Sequence, residues 1–117
     1  MKIAILDDDP ELLESVSRLL NEAGHSCFCF DRGEALIQTL RSSHFDLFVL
    51  DWNLPDRSGI SVIEWIRNRI GDSVPVLLLT SRSLEEDVIA GLEAGADDFI
   101  SKPFQPALLR ARVQALG

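Results

Sequence analysis

The chain has 117 residues, one domain's worth, enough for a single hydrophobic core and too few for a second. With 46% hydrophobic and 26% charged residues it is composed like a soluble globular protein, and a net charge of −8 argues against a direct nucleic-acid surface or a face for anionic membranes. No apolar stretch approaches bilayer length, the opening MKIAILDDDP turns acidic too early for a secretory signal, and Cys27 and Cys29 sit too close for a mutual disulfide, so we expect a cytoplasmic protein with reduced thiols.

The first apolar run, residues 3–6, predicts a strand. Asp9 and Pro10 then open an amphipathic helix in which Leu12, Leu13, Val16, Leu19, Leu20 and Ala23 share one face, and Gly24 closes it. A second strand is expected at 27–30 and a helix at 34–40. The third strand at 47–50 leads to a helix at 60–70, with Ile63, Ile66 and Ile70 in phase. The fourth strand, 74–79, is followed by a helix at 84–94, for which Ser83 and Glu86 have capping-box spacing and Gly95 is the stop signal. A short strand at 99–100 and a helix at 106–116 complete the pattern. Strict alternation, with strands apolar on both faces, predicts a doubly wound α/β fold, a parallel sheet covered by helices on each side.

In such a sheet all strands end on one edge, and ligands bind there where the strand order reverses. The residues just past the strands are Asp7, Asp8 and Asp9, then Asp51, then Thr80 and Ser81, then Lys102. Three carboxylates gathered there would repel by roughly 4 kcal/mol per pair at 4 Å in an effective dielectric near 20, so a cation must offset them. An all-oxygen donor set favours Mg²⁺ over zinc, and Mg²⁺ points to phosphate. Lys102 offers a point positive charge and Thr80 a hydroxyl, while Asp51 is placed to act as a nucleophile toward phosphorus.

The pieces ILDDDP, VLDWNLPDRSG, PVLLLTSRS and AGADDFISKPF occur in the order found in receiver domains of two-component response regulators, and over essentially its whole length the chain resembles that family. The resemblance implies a flavodoxin-like five-stranded sheet of order 2-1-3-4-5 flanked by five helices, with residues 1–117 as the receiver, either standing alone or followed by an output domain past residue 117. It implies that Asp51 takes a phosphoryl group from the phosphohistidine of a sensor histidine kinase. Asp7, Asp8 and Asp51 would hold Mg²⁺, or Mn²⁺ in its place, with the backbone carbonyl of Asn53. Lys102 and Thr80 would contact the phosphoryl group, Ser81 would leave room for it, and Phe99 would take the place of the aromatic switch. Asn53 and Arg82 occupy the positions that tune phosphoryl lifetime in relatives, Pro55 and Gly59 shape the loop after the acceptor, and Lys102-Pro103 is expected cis.

The last helix resembles those of receivers that precede a winged-helix DNA-binding domain, where DNA is contacted only through that output domain. In that mode phosphorylation drives homodimers; Asp98 and Arg112 match an expected intermolecular pair, whereas Val88 and Leu108 replace another pair with an apolar contact. Two other readings compete. A phosphohydrolase of the haloacid dehalogenase type also uses an aspartyl phosphate, but here Asp97 and Asp98 precede a strand and the chain is short. A receiver-like interaction module working without phosphate would be expected to have lost an acid, Thr or Lys from the pocket, and none is lost. His25, Cys27 and Cys29 invite a metal reading that we set aside for want of a fourth ligand. Trp52 and Trp65 read as packing residues, and Arg67, Arg69 and Arg82 as too scattered for a nucleic-acid patch.

Overall fold

Five strands and five helices alternate along the chain in the computed structural model, which describes residues 1–117. They are β1 (Lys2–Leu6), α1 (Pro10–Glu22), β2 (Ser26–Phe30), α2 (Gly33–Leu40), β3 (Leu47–Leu50), α3 (Gly59–Arg69), β4 (Val76–Thr80), α4 (Glu85–Ala94), β5 (Asp98–Ser101) and α5 (Pro106–Leu116). All strand pairs are parallel and the order is β2-β1-β3-β4-β5, as expected. The sheet grows from β1 in both directions, which puts the reversal of strand order between β1 and β3.

Strand residues alternate between faces, and that period divides the core in two. Ile3, Ile5, Leu47, Val49, Leu77, Leu79 and Ile100 pack against Val16 and Leu20 of α1 and Leu109 and Val113 of α5. Their neighbours Ala4, Leu6, Phe48, Leu50, Val76 and Leu78 pack against Leu36 and Leu40 of α2 and Val62, Ile63 and Ile66 of α3. Central strands are thus buried on both faces, while β2, at the edge, is not: Phe28 is 45% exposed. Its ring stands edge-on to Phe45 at 5.7 Å, with the Lys2 ammonium over both rings.

Two of the five helix starts, those of α1 and α3, are capped by local side chains. Asp9 caps α1 by accepting from the Glu11 amide, with Pro10 at the first helical position, and Ser58 caps α3 by accepting from the Ser61 amide. The expected capping box at Ser83 and Glu86 does not form: Leu84 is the cap residue of α4, and no side chain serves the free amides there. At the far end Gly95, with φ at +121°, stops the helix as expected. The fourth strand begins at Val76 rather than 74. Pro75 has no N–H for the ladder, and the Val74 carbonyl turns away to Arg67 at 2.6 Å.

Arg67 holds the base of the sheet together. Its guanidinium donates to the carbonyls of Gly71, Val74 and Gly95 and to Asp97 Oδ2 at 3.0 Å, and that carboxylate oxygen also accepts from the Val76 amide. With its side chain only 11% exposed, Arg67 satisfies main-chain groups that water reaches poorly. Replacing it with Met should lower the unfolding free energy by about 2 kcal/mol, because hydrogen bonds to a charged group are lost and half-buried carbonyls are orphaned. Urea titration checks this; an unchanged midpoint would assign the network no weight.

Helix α4 is the least embedded of the five helices. Only Gly91 of its ten residues is buried, and a Cβ there would lie 2.7 Å from Leu78 Cδ1 and 3.4 Å from the Phe99 ring. Leu84, Ile89 and Leu92 point outward at 61%, 48% and 45% exposure, and no helix of the chain is long and apolar enough to cross a membrane.

Candidate functional site

The residues that end β1, β3, β4 and β5 meet at one edge. Asp51 is drawn toward Asp7 by the ladder itself, since its amide donates to the Leu6 carbonyl at 2.9 Å, and the Lys102 amide donates to the Thr80 carbonyl at 2.7 Å. Asp7 is 2% exposed and Asp51 7%, both unusual for carboxylates, while Asp8 is exposed. One oxygen from each of the three lies within 4.8 Å of the others.

Lys102 resolves the charge problem that burial creates. Its Nζ donates to Asp7 Oδ2 at 2.6 Å and to Asp51 Oδ2 at 3.1 Å. The second oxygens are also partnered: Asp7 Oδ1 accepts from the Asp9 amide at 2.9 Å and Asp51 Oδ1 from the Trp52 amide at 2.7 Å. Burial pushes the Asp7 carboxyl above its ordinary 3.8, against the Lys102 hydrogen bond and the Asp9 amide, and the Asp51 charge adds to the rise. Burial pulls Lys102 down, yet hydrogen bonds and charge from Asp7 and Asp51 outweigh it and hold the ammonium above 10.5. The lysine is therefore charged at neutral pH.

The donor set suits a hard divalent cation that keeps part of its water. Two buried carboxylates and one exposed one converge without His or Cys, and a cluster of this kind holds Mg²⁺ more readily than zinc. Asp7, Asp8 and Asp51 would be its side-chain ligands. When bound, such a cation screens the carboxylates from one another and draws charge from phosphoryl oxygens.

The other expected residues are arranged around this centre. Thr80 is fully buried and its hydroxyl accepts from the Arg82 amide at 3.4 Å. Ser81 and Lys102 line a cleft of about 600 Å³ that runs past Leu12 and Ser15 to Phe104. Phe99 is half-buried with its ring against Gly91, and the Lys102-Pro103 peptide is cis. Gly59 is required by a close approach, since its amide donates to the Trp52 carbonyl at 2.6 Å and a Cβ would overlap the Asp51 carbonyl oxygen. The Asn53 side chain accepts from Arg82 through Oδ1. Asp98 pairs with Arg112 within the same chain at 3.5 Å, Leu108 is 42% exposed and Val88 half-buried.

Some sequence signals lie elsewhere. Asp97 is committed to Arg67 and Val76 at the opposite end of the sheet. His25 precedes β2, and its Nδ1 accepts from the Met1 ammonium at 3.0 Å. Burial and then that charge keep the imidazole below 6.5. Burial, then the neighbouring Cys29, pushes the Cys27 thiol up to about 11, and it is the oxygens of Asp7, Asp8 and Asp51, not these groups, that converge. Sequence reasoning missed Asp56. From the acceptor loop its carboxylate takes the amides of Gly33 and Glu34 at 2.9 and 2.8 Å, capping α2 in place of Arg32, whose side chain makes no cap hydrogen bond.

That cap has a pH signature. Burial would raise the Asp56 carboxyl, but the Glu34 and Gly33 amides outweigh it and leave it below 3.8. Its contribution is present above 3.8 and lost as the pH falls through the lower folded-state value. Asp56→Ala should cost about 1 kcal/mol at neutral pH. Urea curves for both proteins should converge well below pH 3.8, and a gap that persists there would assign the effect to packing instead.

A profile described as the response regulator receiver domain matches residues 3–114. The chain belongs to the response regulator receiver domain family. This receiver is 38% identical over 117 residues to the transcriptional regulatory protein PmrA of Pectobacterium parmentieri, covering 99% of the chain and 52% of that protein. It is 40% identical over 116 residues to the transcriptional regulatory protein BasR of Escherichia coli K12, again covering 99% of the chain and 52% of the relative. The receiver thus spans about half the length of these curated relatives. Among solved structures, the BeF3-activated DrrB receiver domain superimposes with a TM-score of 0.89 at 40% identity, over 98% of this chain and 95% of that one. The receiver is a signalling domain of two-component systems, with the fold and acidic cluster of its family.

Proposed function

We propose that Asp51 is the phosphoacceptor of this receiver and that its donor is the phosphohistidine of a sensor histidine kinase. A carboxylate oxygen of Asp51 attacks phosphorus, the P–N bond breaks, and the departing imidazole keeps the electron pair and takes up a proton. The observation that carries this reading is the position of Lys102 Nζ, bridging Asp7 and Asp51 at hydrogen-bond distance on the edge where the sheet order reverses. There the ammonium offsets the negative charge of Asp51 and remains available to phosphoryl oxygens. Asp7, Asp8, Asp51 and the Asn53 carbonyl hold the divalent cation, Thr80 turns its hydroxyl toward the phosphoryl group, and the domain catalyses its own phosphorylation and dephosphorylation.

Output follows from population shift. Phosphoryl contacts that favour one arrangement of Thr80, Phe99 and the α4-β5-α5 surface by about 5.5 kcal/mol would swing the domain almost completely between states. In our reading the domain sits in the cytoplasm as the input half of a longer transcriptional regulator, whose output domain makes the DNA contacts. The half-length coverage of PmrA and BasR supports this. Phosphorylation would pair two receivers through Val88 and Leu108, with the Asp98–Arg112 pair exchanging from within one chain to between two.

Incubation with Mg²⁺ and a small acyl phosphate should add one phosphoryl group by intact mass, require the metal, and fail in Asp51→Asn. Addition that persists in the mutant would move the acceptor elsewhere. Failure in the wild type, with Mg²⁺ binding confirmed through Trp52 fluorescence, would favour signalling without phosphate.

A further inference from the structure

Arg82 touches three parts of the molecule at once. Its guanidinium stacks on the Trp52 ring at 4.7 Å, donates to Asn53 Oδ1 from Nε and Nη2 at 3.3 and 3.2 Å, and pairs through Nη1 with Asp87 Oδ1 at 3.4 Å. Trp52 and Asn53 directly follow Asp51, and Asp87 lies in the first turn of α4. The Arg82 main-chain amide, in addition, rests on the Thr80 hydroxyl at 3.4 Å.

The two ends of α4 are held differently. At its C-terminus Arg67 grips the Gly95 carbonyl with two nitrogens, at 3.0 and 2.6 Å. At its N-terminus no side chain caps the helix, and the Arg82–Asp87 pair links its first turn to the acceptor loop. Within that pair the Asp87 side chain is 17% exposed and Arg82 40%, so the carboxylate is the more confined partner and the guanidinium the freer one.

We propose that Arg82 is a partner-exchanging latch. In the unphosphorylated chain it holds the first turn of α4 through Asp87, and it surrenders Asp87 to bind the phosphoryl group on Asp51, freeing the N-terminal half of α4. The proposal rests on Asp51 being the acceptor. A phosphoryl group carries more charge than one carboxylate and presents several oxygens to the planar guanidinium fork, so it outcompetes Asp87 for the same N–H donors. If the Thr80 hydroxyl turns to the phosphoryl group, the Arg82 amide loses its acceptor and the main chain there loosens as well. The helix then pivots on its Arg67 end, against the core contacts of Gly91 and Ala94.

Hydrogen–deuterium exchange of the α4 first-turn amides tests this, in the wild type, Arg82→Gln and Asp87→Asn, with and without Mg²⁺ plus beryllofluoride as the phosphoryl mimic. Binding of the mimic is followed separately by Trp52 fluorescence in a Trp65→Phe background. In the wild type the mimic should speed exchange several-fold; in both variants exchange should be fast at the outset and gain nothing from the mimic. Wild-type exchange in either unliganded variant, or a mimic that binds the wild type without speeding α4, overturns the latch and leaves the acceptor reading standing. A mimic that does not bind the wild type, together with no phosphoryl uptake by mass, overturns both.

Discussion

Gly59→Ala should abolish phosphoryl uptake and cost about 4 kcal/mol of stability. The added Cβ would overlap the Asp51 carbonyl oxygen and lie 2.9 Å from Trp52 Cα, both main-chain atoms with no rotamer to yield. Around them the loop is tightly closed, because the Gly59 amide donates to the Trp52 carbonyl and Asn53 bridges to Ser58, the cap of α3. Relief therefore requires either moving α3 off the sheet or shifting the Asp51 main chain. The first opens the core around Val62, Ile63 and Ile66; the second carries the Asp51 carboxylate away from Asp7 and Lys102. Urea unfolding and intact mass after acyl phosphate treatment read the two consequences. A variant with wild-type stability and uptake would show that the loop has slack.

Lys102→Met should reverse the usual relation between loss of charge and loss of metal. Without the ammonium, Asp7 and Asp51 face each other as buried carboxylates of like sign, and breaking a buried pair in this way costs about 3 kcal/mol or more. A divalent cation can replace much of what the lysine supplied. Melting temperatures should fall sharply in the absence of Mg²⁺, and the Mg²⁺-induced rise should be larger in the variant than in the wild type. Phosphoryl uptake should nevertheless be lost, since the cation cannot also stand where Nζ meets the incoming phosphoryl oxygens. An equal or smaller Mg²⁺ response in the variant would mean that Lys102 supports the site by packing, not by charge.

The sequence was most readable where physics is local or periodic. Unbroken apolar runs marked β1, β3 and β4 because those strands are covered on both faces, and Asp7, Asp8, Asp51, Thr80 and Lys102 were found because a parallel sheet collects its strand ends. The start of α4 was misplaced because Ser83 and Glu86 have the right spacing, yet Leu84, not Ser83, takes the cap position. Asp56 and Arg67 were unreadable for a different reason. Their partners lie 22 and 28 positions away in Glu34 and Gly95, and an exposed-looking polar residue carries no mark of what it will meet across the fold. Arg67, read from the sequence as a scattered positive charge, and Arg82, read as a position beside the acceptor, brace opposite ends of one helix.

The shallow seat of α4 bears on how such a domain diversifies. A helix whose one buried residue is a glycine can exchange its outward residues at little cost to folding, so changes at Leu84, Ile89 or Leu92 alter what the surface recognises more than whether the chain folds. The chemistry at the sheet edge lies on strands and loops fixed by other helices, and so stays constant while the face presented to partners is rewritten. Duplicated copies of such a gene could therefore part company in whom they address before they differ in how they are charged.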